Sequence, residues 1–141
     1  MINDGLKLKG KLAISLNGKI IQEVDNLVVT AGKGYVASRM KDTTATAMSH
    51  MAIGSGSTAA AASDTALGNQ LGRVALTSTT VSGAVVTYVA SFPAGTGTGA
   101  VTEAAILNAS SGGTMLCRTV FSVVNKGAQD SMTVTWTVTV S

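Results

Sequence analysis

A glycine-rich stretch, FPAGTGTGAVTEAAILN at residues 92–108, has the spacing of a phosphate-binding turn. Its centre, GTGTGA, fits the pattern G-x-G-x-x-A with which dinucleotide-binding folds hold a pyrophosphate at the start of a helix. That site also needs a crossover helix and an acidic residue about 20 positions later. Here SSGG follows too soon for such a helix, and no Asp or Glu occurs between Glu103 and Asp130. We therefore predict a connection between strands and no bound cofactor.

Other residues that could do chemistry are few and scattered. His50 is the only histidine, so neither a multi-histidine metal site nor a Ser-His-Asp triad with a spare base can be formed. Cys117 lies within the alternating stretch TMLCRTVF, which predicts a buried structural thiol and not a nucleophile paired with His50. Glu23 and Asp25 are the only acids within three residues of each other, and they share one face of a predicted strand as a solvated edge. We predict no catalytic, metal-binding or cofactor-binding residue and no enzymatic activity.

Two charged residues, Glu103 and Arg118, lie in otherwise apolar predicted strands. They either pair with each other across neighbouring strands or occupy an interface with another molecule. The internal pair is the favoured interpretation, because charges in apolar strands are seldom buried without a partner.

Hydrophobic periodicity predicts a mainly β chain that forms one domain over residues 1–141. Alternating segments joined by Asn17-Gly18 predict an N-terminal hairpin over residues 1–29, because Asn-Gly suits the positive φ angles of a tight hairpin turn. Residues 49–141 are predicted to form the body of an antiparallel β-sandwich or jelly-roll-like fold. Its strands are expected near residues 73–80, 84–92, 100–108, 114–123 and 131–140, after a short strand in SHMAIGSGS, with turns at 82–83, 93–99, 110–113 and 125–130.

One or two short helices accompany these strands. The first is predicted over residues 30–41, where Thr30 can cap the start. Its apolar stripe is expected to comprise Ala31, Tyr35, Val36 and Met40. The second is predicted in TALGNQLG, with Asp64 as its cap and Gly72 as its end.

Composition limits the classes of protein to which the chain can belong. Hydrophobic residues make up 45% and charged residues only 12%, which excludes a disordered polar chain and is typical of a surface that a partner covers. No transmembrane segment or secretory signal is expected, because no apolar run is long enough. With a single cysteine an intrachain disulfide is impossible, so folding in a reducing cytosol is expected.

Most of the net charge of +3 lies in the N-terminal third. Residues 1–42 contain seven basic and four acidic side chains, whereas residues 43–141 contain three of each. The candidate contacts with a partner are therefore Lys7, Lys9, Lys11, Lys33 and Arg39. No aromatic residues are interleaved with the first three lysines, so direct nucleic-acid binding is not expected. Completion of the sandwich by this hairpin, without any partner, is an equally good interpretation.

The motifs I-G-S-G, T-A-L-x-x-x-L-x-R, F-P-A-G, V-T-E-A, M-L-x-R-T-V-F and a terminal T-V-T-W-T-V follow one another over residues 51–140. In this order they resemble a module of tailed-bacteriophage virion proteins, and the length of 141 residues is most similar to that of head cementing, or decoration, proteins. The preceding stretch NLVVTAGKGYVASRM fits the same module.

The resemblance implies a β-sandwich that assembles as a homodimer, with a trimer as the alternative, on the outer surface of the phage head. Its partner would be the major capsid protein, and no cofactor, metal or membrane would be involved. The protein would be found in the virion and, during assembly, in the host cytoplasm. A tail-fibre or receptor-binding module of the phage tail is the alternative, because similar modules occur there.

Overall fold

The structure is a computed structural model that describes residues 6–41 and 45–141. The first five residues of the predicted N-terminal hairpin lie outside the described residues, and so do Asp4 and Asp42 of the N-terminal charge count.

The described residues form nine strands and one helix. The strands are β1 (Leu8–Leu16), β2 (Lys19–Val28), β3 (His50–Gly54), β4 (Gln70–Ala75), β5 (Ser78–Ser82), β6 (Val85–Phe92), β7 (Gly99–Leu107), β8 (Met115–Lys126) and β9 (Met132–Val140). The helix, α1, spans Thr30–Lys41 between β2 and β3. The prediction of a mainly β chain is confirmed.

The N-terminal hairpin of β1 and β2 forms as its sequence predicts. Asn17 and Gly18 connect the strands with φ angles of 50° and 83°, and Asn17 is the only non-glycine residue with a positive φ in the described part of the chain. The short polar side chain of asparagine and the absence of a Cβ in glycine make these angles accessible.

All nine strands belong to one antiparallel sheet in the order β4-β3-β7-β8-β2-β1-β9-β6-β5. Only the last residues of β2, Leu27 and Val28, pair with β8, so this short ladder joins the two halves of the sheet. The sheet is curled, and β4 at one end of it contacts β6 near the other end. The curl encloses the main core between the two halves.

Alternation along β9 shows how the sequence builds this core. Val134 and Trp136 are fully buried, while the intervening threonines face outward. Leu12 and Ile14 of β1 pair with these two residues in reverse order and are also fully buried. Burying a large apolar side chain contributes about 1.5–3 kcal/mol, so this row of residues is a principal source of stability.

The opposite face of β3, β7 and β8 is also covered. The long connection of residues 55–69 between β3 and β4 lies over it, and Leu67 packs there on a second apolar cluster. That cluster contains the buried residues Val29, Ala52, Ala105, Leu107 and Met115. The central strands are therefore buried on both faces, which explains why β7 reads as an almost continuous apolar run.

Helix α1 is held by a close approach of its backbone to β8. A Cβ atom on Gly32 would collide with the backbone carbonyl oxygen of Leu116. Tyr35 and Val36 pack against the main core, but Met40 does not join them as the predicted stripe required. Its side chain is 77% exposed, since the helix extends beyond the core before it reaches this residue.

The predicted second helix after Asp64 is wrong. Residues 65–69 are irregular, and Gln70 already begins β4. The backbone N–H groups of Gly68 and Asn69 bond to the carboxylate of Glu103. Asp64 itself accepts a hydrogen bond from Ala61 N–H, so its carboxylate closes a turn instead of capping a helix.

Three of the remaining strand predictions agree closely with β6, β7 and β9, and two need correction. The single strand expected at residues 73–80 is two strands, β4 and β5, with a break at Leu76 and Thr77. The break arises because Leu76 N–H bonds to Ser49, just before β3, whereas Thr77 N–H bonds to Val89 of β6. In addition, β8 continues to Lys126, so the turn that follows is shorter than predicted.

Two glycines of α1 provide a matched test of this packing. Gly32→Ala should destabilise the protein by about 1–3 kcal/mol, because the new methyl group overlaps backbone that cannot move freely. Gly34→Ala should stabilise it by up to about 1 kcal/mol, because that site is open and alanine favours helix. Urea unfolding followed by circular dichroism measures both changes, and equal effects would contradict the close approach of α1 to β8.

Candidate functional site

A fully buried carboxylate, that of Glu103 on β7, lies beneath the connection of residues 55–69. The β7–β8 register shifts between Val101 and Glu103, which marks a bulge at this point of the ladder. Glu103 lies on the same face of the sheet as Ala105, toward the smaller apolar cluster. Burial of an ionised carboxylate is costly unless charge and hydrogen bonds compensate for it.

Three backbone donors of the covering connection satisfy this carboxylate. Oε2 accepts the N–H of Gly56 at 2.6 Å and that of Asn69 at 2.8 Å, while Oε1 accepts the N–H of Gly68 at 2.8 Å. Both ends of the connection are therefore attached to one side chain. Thr102 adds a further bond to the same segment, because its hydroxyl donates to the carbonyl oxygen of Gly56 at 2.8 Å.

The guanidinium of Arg118 on β8 supplies the opposite charge. Its Nε and Nη2 donate to Glu103 Oε1 at 3.2 and 3.0 Å, which confirms the predicted internal pair. Nη1 donates to Asp64 Oδ2 at 2.9 Å, and Nη2 also donates to the carbonyl oxygen of Thr58 at 3.0 Å. Arg118 thus extends the attachment to the middle of the connection, and we call Glu103, Arg118 and Asp64 the buried ion network.

Opposing effects determine the charge state of Glu103. Desolvation by burial raises the pKa of its carboxyl group, but the backbone hydrogen bonds from Asn69, Gly68 and Gly56, and the bond from Arg118, lower it more. The net result is a pKa below the ordinary value, so the carboxylate is ionised at neutral pH. A group held in one protonation state by five donated hydrogen bonds is suited to a structural role.

Two glycines leave room for this carboxylate. A Cβ on Gly54 would lie 2.6 Å from Glu103 Oε2, and a Cβ on Gly56 would lie 2.5 Å from the same atom. Both φ angles are ordinary, so close approach is the reason for glycine at these positions. The motif I-G-S-G therefore serves the buried ion network.

A second buried charge, Lys126, joins two turns at the other end of β8. Its Nζ donates to the carbonyl oxygens of Pro93 at 2.9 Å and Asp130, and the side chain is almost completely buried. Desolvation lowers the pKa of Lys126, and the charge of Asp130 opposes that effect. The ammonium thus attaches the glycine-rich connection before β7 to the turn before β9.

The glycine-rich connection itself lacks the form of a phosphate cradle. It leads directly into β7 at Gly99, which confirms the prediction of a connection between strands. Gly97, with a φ of 71°, packs against the core, because a Cβ there would lie 2.5 Å from Ile53 Cδ1. The backbone is therefore pressed onto β3 instead of surrounding an open site.

Cys117 and His50 lie on opposite faces of the sheet. Cys117 is fully buried in the main core, and burial raises the pKa of its thiol. His50 pairs with Leu107, which faces the smaller cluster, and its Nδ1 is 2.8 Å from the hydroxyl of Ser49. The two side chains are therefore not brought together as a nucleophile and a base.

The predicted partner contacts fall into two places. Lys7, Lys9 and Lys33 line one hollow beside α1, and Arg39 lines the hollow next to it. Lys11 lies on the outer face of the hairpin beside Glu23. The structure thus gathers four of the five candidate cations along one groove, although they come from β1, the segment before it and α1.

Comparisons of the chain with protein-family models, with curated proteins and with solved structures gave no match. Within residues 6–41 and 45–141, no three His, Cys, Asp or Glu side chains are placed to bind a metal ion. No helix of the described segments is both long and apolar enough to cross a membrane.

Two members of these polar sites were missed from the sequence. Lys126 occupies the same alternating face as Val124, so the periodicity of β8 was a signal that it points inward. Asp64 carried no such signal, because its partner Arg118 is 54 residues away and approaches it only after β8 has joined the sheet.

Replacing Glu103 tests the buried ion network. Glu103→Gln should lower the free energy of unfolding by about 3 kcal/mol at neutral pH, because the amide NH₂ faces backbone donors and Arg118 loses a charge partner. The folded state depresses the pKa of Glu103, so its stabilising contribution is complete above the ordinary glutamate pKa and falls as the pH drops below it. Urea unfolding at a series of pH values should therefore show the two proteins converging in acid.

Glu23→Gln is the matched control, because Glu23 is exposed on β2. Its effect should stay within about 0.5 kcal/mol at every pH. A Glu103→Gln difference that did not change with pH would show that the loss is one of packing and not of charge.

Proposed function

We propose that the protein is a structural virion protein that binds the outside of a tailed-phage head and clamps neighbouring major capsid subunits. The single observation that carries the proposal is the ordered set of motifs over residues 51–140, which resembles a module of tailed-phage virion proteins. In this proposal, the two halves of the curled sheet form the two layers of a β-sandwich.

Several residues of these motifs stabilise the fold itself. Glu103 of V-T-E-A and Arg118 of M-L-x-R form an internal ion pair, and Gly54 and Gly56 of I-G-S-G make room for it. These residues are covered by the protein's own chain, so they are not the surface that a capsid subunit would touch. The proposed capsid contact therefore lies away from these four residues.

The cationic groove beside α1 is the proposed contact with the capsid. Lys7, Lys9 and Lys33 surround it with positive charge, and both ion pairs found in the described residues belong to Arg118 instead. Exposed surface charge steers a partner of opposite sign and fixes its orientation.

The open edge of β5 supports the proposed homodimer. All five residues of this edge strand, Ser78–Ser82, are exposed, and Val81 is 71% exposed. The strand has neither charge nor proline, which are the features that normally protect an edge from pairing. Antiparallel pairing of β5 with its copy would give a two-fold dimer with one cationic groove on each side.

Such a dimer would stabilise a capsid by binding two of its subunits at once. A protein that binds only the assembled lattice stabilises it by mass action. When one half of the dimer is bound, the other half meets its subunit at a high effective concentration, so the pair resists separation more than either half alone.

Heating of purified particles tests the cementing role. Heads that carry the protein should release their DNA at a higher temperature than heads that lack it, and adding the purified protein should restore the difference. Release is measured by the fluorescence of a DNA-binding dye. Identical release curves would remove the cementing proposal, and a loss of adsorption to cells without any change in release would favour the tail module instead.

A charge on the open edge tests the dimer. Val81→Lys should convert the dimer to a monomer in sedimentation equilibrium, because a charged side chain on an edge strand opposes its pairing with another edge. Val123→Lys is the control, since Val123 is 52% exposed on β8 away from that edge. A trimer, or a dimer that both variants retain, would contradict pairing through β5.

A further inference from the structure

A groove with an apolar floor runs beside α1, across the inner faces of β1, β9, β6 and β5. It consists of two adjoining hollows of about 430 and 370 Å³, which share Leu8, Val36 and Val140. Met48 and Val86 continue the apolar floor in the second hollow. Each volume lies in the range of about 300–1,000 Å³ that is typical of ligand-binding clefts.

The rim of this groove carries charge of only one sign among the described residues. Lys7, Lys9 and Lys33 border the first hollow and Arg39 borders the second, and no described acidic side chain lines either. Within the described residues, Nη1 of Arg39 donates a hydrogen bond to the carbonyl oxygen of Ala45 at 3.1 Å. Cations gathered around one groove repel one another, and an occupant with negative charge would relieve that repulsion.

We propose that this groove binds an acidic amphipathic segment of a partner polypeptide. Apolar side chains of the segment enter the two hollows, and its carboxylates contact the ammonium groups of Lys7, Lys9 and Lys33. The floor and the rim thus recognise different faces of the same segment. The inference rests on the proposed function only in assigning that segment to a capsid subunit.

The floor favours a polypeptide over a nucleic acid. A single strand bound in a cationic groove needs exposed aromatic rings on which its bases can stack. The groove contains two tyrosines, but Tyr88 is buried and the hydroxyl of Tyr35 is engaged by Met48 N–H at 3.2 Å. The exposed lining is aliphatic, which suits leucine-type side chains.

Binding of a synthetic peptide tests the inference without any particle. The probe is a short fluorescein-labelled peptide with leucines on one face and glutamates on the other, and anisotropy measures its affinity at low salt. A second peptide has lysines in place of the glutamates, and an oligothymidine tests nucleic acid. The glutamate peptide should bind and weaken as salt is added, whereas the lysine peptide should not bind.

Variants of the rim and floor locate the binding. Lys33→Glu should weaken binding of the glutamate peptide about tenfold, which corresponds to about 1.4 kcal/mol. Leu6→Gln should weaken it too, and because Leu6 is 70% exposed this change leaves the core intact. Lys19→Glu, at an exposed lysine of β2 that does not line the groove, should leave binding unchanged.

Several outcomes would overturn the inference. Equal binding of both peptides, equal loss in Lys33→Glu and Lys19→Glu, or tighter binding of oligothymidine would each do so. A change of mass in solution caused by Lys33→Glu, without peptide binding, would identify a second copy of the chain as the occupant. If the protein binds the glutamate peptide in this way but does not change the temperature at which particles release their DNA, the proposed function is refuted and the groove inference stands.

Discussion

The fold depends on one buried carboxylate. Glu103 accepts backbone hydrogen bonds from both ends of residues 55–69, and Arg118 joins that same segment to β8 through Asp64. Without this charge the segment would have three unpaired N–H groups above an apolar cluster. The network therefore allows a long irregular connection to act as the outer cover of three central strands, where a helix or a second sheet would otherwise be needed.

Local pattern predicted most of the sheet but not its cover. The β1–β2 hairpin and β9 follow from Asn17-Gly18 and from strict alternation, since turn chemistry and side-chain periodicity act over a few residues. The stretch after Asp64 has the composition of a short helix, yet its N–H groups are bonded to a carboxylate more than 30 residues away. No pattern within a few residues indicates a hydrogen bond over this distance in sequence, so the prediction of a second helix failed for a physical reason.

The same division holds for the candidate surfaces. Excess positive charge in the N-terminal third was visible in the composition, but only the fold brings Lys33 of α1 next to Lys7 and Lys9. Lys11 belongs to the same sequence run but lies farther along β1, beside Glu23 on the outer face of the hairpin, so it does not line the groove. Glu103 and Arg118 of the scaffold are buried and paired, whereas the proposed partner charges are exposed, and this contrast separates the two kinds of site.

The pairing of β1 with β9 has a consequence for synthesis. Leu8 lies opposite Val140, so β1 borders a strand that leaves the ribosome long after it. Until β9 emerges, β1 and β6 each lack a neighbour, and the space that Trp136 fills stays open. A chain whose β9 has not yet been synthesised thus cannot complete its core, and the open edges of its β1 and β6 are exposed to pairing with other chains during that interval.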